Sequence, residues 1–153
     1  MQKVIVNKWR GRIIAFAPLF VWIGVIFYLS SGQGSMDETS RFIRPLLRLL
    51  FPQAGEDTLT VYHGYIRKAA HFTEYAVLAF MAYRAIVLTK PQSISKFILP
   101  LVLVVVVASV DEFNQSFEAT RTASFRDVLL DIAGGAFMTA VLWAIYRRRG
   151  YPA

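Results

Sequence analysis

The chain has 153 residues, 56% hydrophobic and 18% charged, with a mean hydropathy of +0.45 and a formal net charge of +7. That length holds one compact unit rather than two, and the hydropathy sits on the membrane side of the globular range. The absence of cysteine excludes disulfides, thiol nucleophiles and cysteine-ligated metals. A chain this apolar carries its basic charge on loops and toward anionic headgroups, which argues against a nucleic-acid surface.

The first predicted element is the uncharged run "IIAFAPLFVWIGVIFYL" over residues 13–29, long enough to cross about 30 Å of hydrocarbon. It exceeds the roughly 7–15 apolar residues of a signal peptide, and further apolar runs follow, so it reads as a retained span. The connection after it, about 30–68, contains "ETSRFIRPLLRLLF" at 38–51. Arg41, Arg44 and Arg48 recur there at i, i+3 and i+7, forming the polar stripe of an amphipathic interfacial helix. Pro45 is expected to interrupt that helix and Pro52 to end it.

Three more spans are expected, at about 69–88, 97–116 and 128–146. The β-branched run at 102–107 fits a buried strand by periodicity alone, but its length and the flanking Pro100 favour a helix. Gly134 and Gly135 suit close helix packing. The fold class is therefore an all-α membrane protein of four transmembrane helices, with the amphipathic helix in the first extracytoplasmic loop.

Orientation follows the basic residues. Lys3, Lys8, Arg10 and Arg12, then Arg84, Lys90 and Lys96, then Arg147, Arg148 and Arg149 fall on one side. They outnumber those of the longer loops opposite, so both termini are expected in the cytoplasm. Given that topology, three helices bring polar residues to one depth at their outer ends: His71 and Glu74, then Asp111, Glu112 and Gln115, then Asp127 and Asp131. Each intramembrane charge costs about 2.5–3.5 kcal/mol on insertion scales, so such residues face a cavity or one another. Plainer roles stand beside this reading. Arg67 and Lys68 suit interfacial anchoring, Asp127 suits a helix start, and only one of the adjacent Asp111 and Glu112 can look inward.

The segments "RKAAHFTEY" and "DEFNQSFEATRTASFRDVLLDIAGG" resemble the VanZ-like family of small bacterial membrane proteins. The resemblance rests on Lys68, His71, Phe72, Glu74, Tyr75, Asp111, Glu112, Gln115, Phe117, Arg121, Asp127, Asp131 and Gly134. It covers nearly the whole chain and implies a single integral membrane domain over 1–153. The chain departs from the pattern at "SSGQGS" (30–35), where Gly32 intervenes before Gln33 and the family's proline is missing. The family takes its name from a protein linked to teicoplanin resistance. Its fold resembles four-helix phosphatidylserine-synthase-like enzymes that handle lipid headgroups.

The resemblance thus implies a multi-pass protein of the bacterial cell membrane, with an outer-leaflet site for a lipid headgroup or a lipid-linked cell-wall precursor. For phosphoester exchange or hydrolysis, His71 oriented by Glu74 is the expected base or nucleophile, and Asp111 or Glu112 the expected acid. Arg121, Arg126 and Arg67 are expected to hold phosphate oxygens, with Lys68, Gln115, Asp127 and Asp131 as further binding residues. The acids admit a divalent cation, without a ligand spacing specific enough to name its donors. A non-catalytic binder of a lipid-linked precursor or a glycopeptide antibiotic would use the same polar cup.

Overall fold

The computed structural model describes residues 2–31, 36–89, 94–117 and 124–149, with residues 2–8 and 37 described by their backbone alone. The described residues form five helices: α1 (Gln2–Ser30), α2 (Met36–Leu50), α3 (Glu56–Thr89), α4 (Ser95–Gln115) and α5 (Phe125–Arg148). No strand occurs among the described residues. Among the described residues four stretches are long and apolar enough to cross a membrane: Trp9–Ser30, Glu56–Thr89, Ser95–Gln115 and Phe125–Arg148. The β-branched run at 102–107 lies within α4. Helix satisfies every backbone group inside its own segment, as hydrocarbon demands.

Two boundaries differ from the sequence reading. The second span is the later part of a 34-residue helix, which at 1.5 Å per residue runs about 51 Å and overshoots the hydrocarbon core. Glu56 and Asp57 occupy its first turn, where carboxylates favour the positive end of the helix dipole. No proline follows until after Thr89, so the helix has no reason to restart at residue 69. In α2, Pro45 sits inside an unbroken helix. Pro45 is exposed, so the carbonyl it leaves without a helical donor costs little there. The helix ends as expected before Pro52, where the Phe51 amide donates to the Leu47 carbonyl at 2.8 Å.

Every other helix packs against α3, most extensively α5. Their partnership depends on the absence of side chains at one crossing. A Cβ on Gly134 would collide with the backbone carbonyl of Phe72, and a Cβ on Gly135 would lie 2.8 Å from both Val104 methyl carbons. The adjacent glycines therefore let α5 wedge between α3 and α4. Small residues continue the close fit, with Ala76, Ala79, Ala82 and Ala85 of α3 and Ala108 of α4 all buried. Large apolar side chains such as Phe20, Val102, Val106 and Phe137 point outward instead, as expected where the surroundings are lipid. The Trp22 indole of α1 donates to the Glu74 carbonyl of α3 at 3.0 Å.

The two ends of the bundle have different chemistry. The end formed by the start of α4 and the last turns of α3 and α5 is aromatic. Phe97 contacts Tyr83, Trp143 and Tyr146 at ring-centroid distances of 5.5, 4.9 and 5.5 Å. The Lys96 ammonium lies 3.7 Å from the centre of the Tyr146 ring. The opposite end, where α1 and α4 finish and α5 begins, holds the buried acids.

Candidate functional site

The glycine crossing explains how the site is assembled. Asp131 lies one turn before Gly134, and His71 immediately precedes the Phe72 that Gly134 meets. Close approach of the two backbones brings His71 Nδ1 to 3.5 Å from Asp131 Oδ1. The carboxylate against the imidazole is therefore contributed by α5. Glu74, the expected orienting acid, lies one turn along α3 from His71, at the spacing that shares a helix face.

A second tier lies beneath this pair. Gln115 donates its amide to the Ser30 hydroxyl at 2.6 Å and to Asp111 Oδ2 at 3.0 Å. That arrangement ties the ends of α1 and α4 together and orients the Asp111 carboxylate. Asp111 is 1% exposed and Asp131 2%. Tyr75, one turn after His71 on α3, is also fully buried. His71 Nδ1, Tyr75 Oη, Asp111 Oδ1 and Asp131 Oδ1 are all buried without a hydrogen bond among the described residues. Two of these atoms, His71 Nδ1 and Asp131 Oδ1, face each other at 3.5 Å. That leaves the Tyr75 hydroxyl and Asp111 Oδ1 with the most unspent binding capacity, in a setting where buried polar atoms are almost always paired.

A cleft of about 200 Å³ leads to this cluster, lined by Met36, Gly64, Arg67, Lys68, His71, Asp127 and Leu130. His71 belongs to both regions: it lines the cleft and touches Asp131. The remaining expected residues divide between rim and scaffold. Lys68 and Asp127 stand at the cleft, and Arg67 joins them there. Glu112 accepts a bond from the Ser124 backbone amide, and Ser124 is the residue that caps α5. Its carboxylate thus fastens the start of α5 to α4. Gln115, expected to bind substrate, lies outside the cleft lining and spends its amide on Ser30 and Asp111. Arg126 is exposed and away from the lining. Arg121 lies outside the described residues, as do Gly32 and Gln33. Among the described residues no three His, Asp or Glu side chains are grouped to hold a metal ion.

Three contributors escaped the sequence reading as site residues. Tyr75 was legible in principle, one turn after His71 on the same face of α3. Ser30 was not, since it reaches its partner across 85 positions of chain. Met36 reaches the cleft from the first turn of α2.

A polytopic four-helix bundle with acids, a histidine and cations gathered at one end is the class that fold and site define. A model of the VanZ/LLP1 family matches residues 15–147, and the chain belongs to that family. No curated protein and no solved structure matches it.

Proposed function

We propose that the cleft holds the phosphate-bearing headgroup of a membrane lipid or lipid-linked cell-wall precursor at the outer leaflet, and that His71 exchanges or hydrolyses its phosphoester. The observation that carries this reading is the position of His71, which joins a cleft flanked by Arg67 and Lys68 to a buried carboxylate at 3.5 Å. Arg67 offers a planar fork for phosphate oxygens, and Lys68 a mobile point charge. With Asp131 facing Nδ1, the tautomer bearing a proton there is favoured, which leaves Nε2 as base or nucleophile on the cleft side. In hydrolysis, Nε2 would take the proton of a water whose oxygen forms the new bond to phosphorus. The leaving oxygen would then take a proton from the resulting imidazolium.

The basic residues support an orientation with both termini in the cytoplasm of a bacterial cell. Lys96 and Arg147 belong to the end opposite the cleft, consistent with the cleft opening outward. A space of about 200 Å³ is below the range of pockets that take drug-sized molecules. It suits a headgroup better than a glycopeptide, so any link to teicoplanin would run through the lipid.

The test is turnover in phospholipid vesicles containing a polyprenyl-pyrophosphate-linked sugar, with products followed by mass spectrometry. His71→Ala, expressed at normal levels, should lose at least about 100-fold in rate. Full activity in that variant would refute the assignment. Binding that persists in His71→Ala, with no product from the parent protein, would instead identify a non-catalytic binder.

A further inference from the structure

We infer that α2 is a latched lid over the His71 cleft, an inference that rests on the cleft being the headgroup site. Among the described residues α2 packs against α3 alone, whereas every other helix has at least two neighbours. Its first residue, Met36, forms part of the cleft wall. Whatever moves α2 therefore changes the mouth of the site.

The attachments of α2 to α3 are mostly polar. Thr39 Oγ1 and His63 Nε2 lie 3.0 Å apart, and His63 is only 2% exposed. Arg44 and Arg48 both bind Glu56, with the Arg44 contact at 2.9 Å, and all three side chains remain partly exposed. The only side chain of α2 that is fully buried, among those described, is Leu47. Exposed ion pairs contribute little, and one helix holding one buried leucine is weakly docked. Local opening at small cost is the expected behaviour of such an element.

The latch and the site share one face of α3. Glu56, Thr60, His63, Arg67 and His71 recur at spacings of four, three, four and four, which keeps them on a single helical stripe. The side chains of α2 occupy the upper part of that stripe, and the cleft begins where they end. Lifting α2 removes Met36 from the wall and extends the cleft along the stripe to His63. A headgroup too long for the closed cleft gains its space in this way.

The natural chain has no cysteine, so Gly64→Cys gives a single reporter in the cleft wall. A Cβ at Gly64 meets nothing within 4 Å, so the change fits. In nanodiscs of phosphatidylethanolamine and phosphatidylglycerol, a maleimide should label this cysteine in proportion to the open population of α2. Adding Thr39→Val should speed labelling about fivefold, the factor carried by one hydrogen bond of ordinary net strength. Adding Arg44→Gln with Arg48→Gln, on exposed side chains that put folding at no risk, should speed it about twofold. Gln53→Cys, in the turn between α2 and α3, should label at one rate in all backgrounds. Unchanged labelling of Gly64→Cys in both latch variants would overturn the lid, as would equal acceleration at both cysteines. Labelling requires no turnover, so an inactive protein with a responsive lid would count against the headgroup reading alone.

Discussion

Both ends of the bundle bury charge, and they do so by opposite means. At the aromatic end Lys96, 4% exposed, lies 3.7 Å from the centre of the Tyr146 ring and 5.4 Å from that of Phe97. The ring faces supply the negative potential that water would otherwise provide. At the polar end Asp131 faces His71 at 3.5 Å, Asp111 is held by Gln115, and four buried polar atoms lack a hydrogen bond among the described residues. Arg84 Nη1 is the one other buried orphan among the described residues. A cation laid on rings is a finished contact that fixes helix ends. A cluster of buried donors and acceptors without hydrogen bonds can still form them, and intramembrane groups in that condition mark candidate sites rather than struts. The comparison teaches that burial of charge alone does not mark a candidate site; buried polar atoms left without hydrogen bonds do.

The contrast can be broken most severely at its assembly point. Gly134→Leu forces a side chain into the Phe72 backbone and should cost about 3 kcal/mol or more, seen as a large drop in thermal midpoint in detergent. Gly24→Leu, where nothing lies within 4 Å of an added Cβ, should leave the midpoint nearly unchanged. Equal effects would mean that α3 and α5 do not meet as described.

A smaller loss is expected inside the polar end. Gln115→Leu removes the donor shared by Ser30 and Asp111 and leaves a buried carboxylate oxygen unpaired. The cost should be about 1–3 kcal/mol, with α1 loosening first as measured by hydrogen exchange. Exchange that rises uniformly along the chain would argue against Gln115 as the tie between α1 and α4. The mildest effect belongs to the aromatic end. Lys96→Met keeps length and apolar packing while losing the cation over the rings, and should shift stability by about 1 kcal/mol with no change in phosphoester turnover. A loss of turnover in Lys96→Met would erase the distinction between the two ends.

Much of the architecture was readable before any coordinates. Uninterrupted apolar runs longer than a bilayer is thick have few alternatives to helices, and the arginines at 41, 44 and 48 announced an amphipathic one. Helix boundaries were less legible. Hydropathy marks where lipid begins, whereas a helix continues until a proline, a cap or a turn stops it, and α3 therefore starts at Glu56 rather than at residue 69. The polar end was legible as a set of residues at one depth, because periodicity and topology together give depth.

Pairing was decided only by the fold. Sequence spacing offered Glu74 to His71 because residues three apart share a helix face; the crossing at Gly134 adds Asp131, which no spacing along α3 could indicate. The packing of α4 against its neighbours likewise brings Glu112 to the Ser124 amide and Gln115 to Ser30. Composition and periodicity determined that this chain spans a membrane and collects its acids at one end, since those properties sum over local residues. Which acid faces the imidazole depends on how closely two backbones approach, and that distance exists only once the helices have packed.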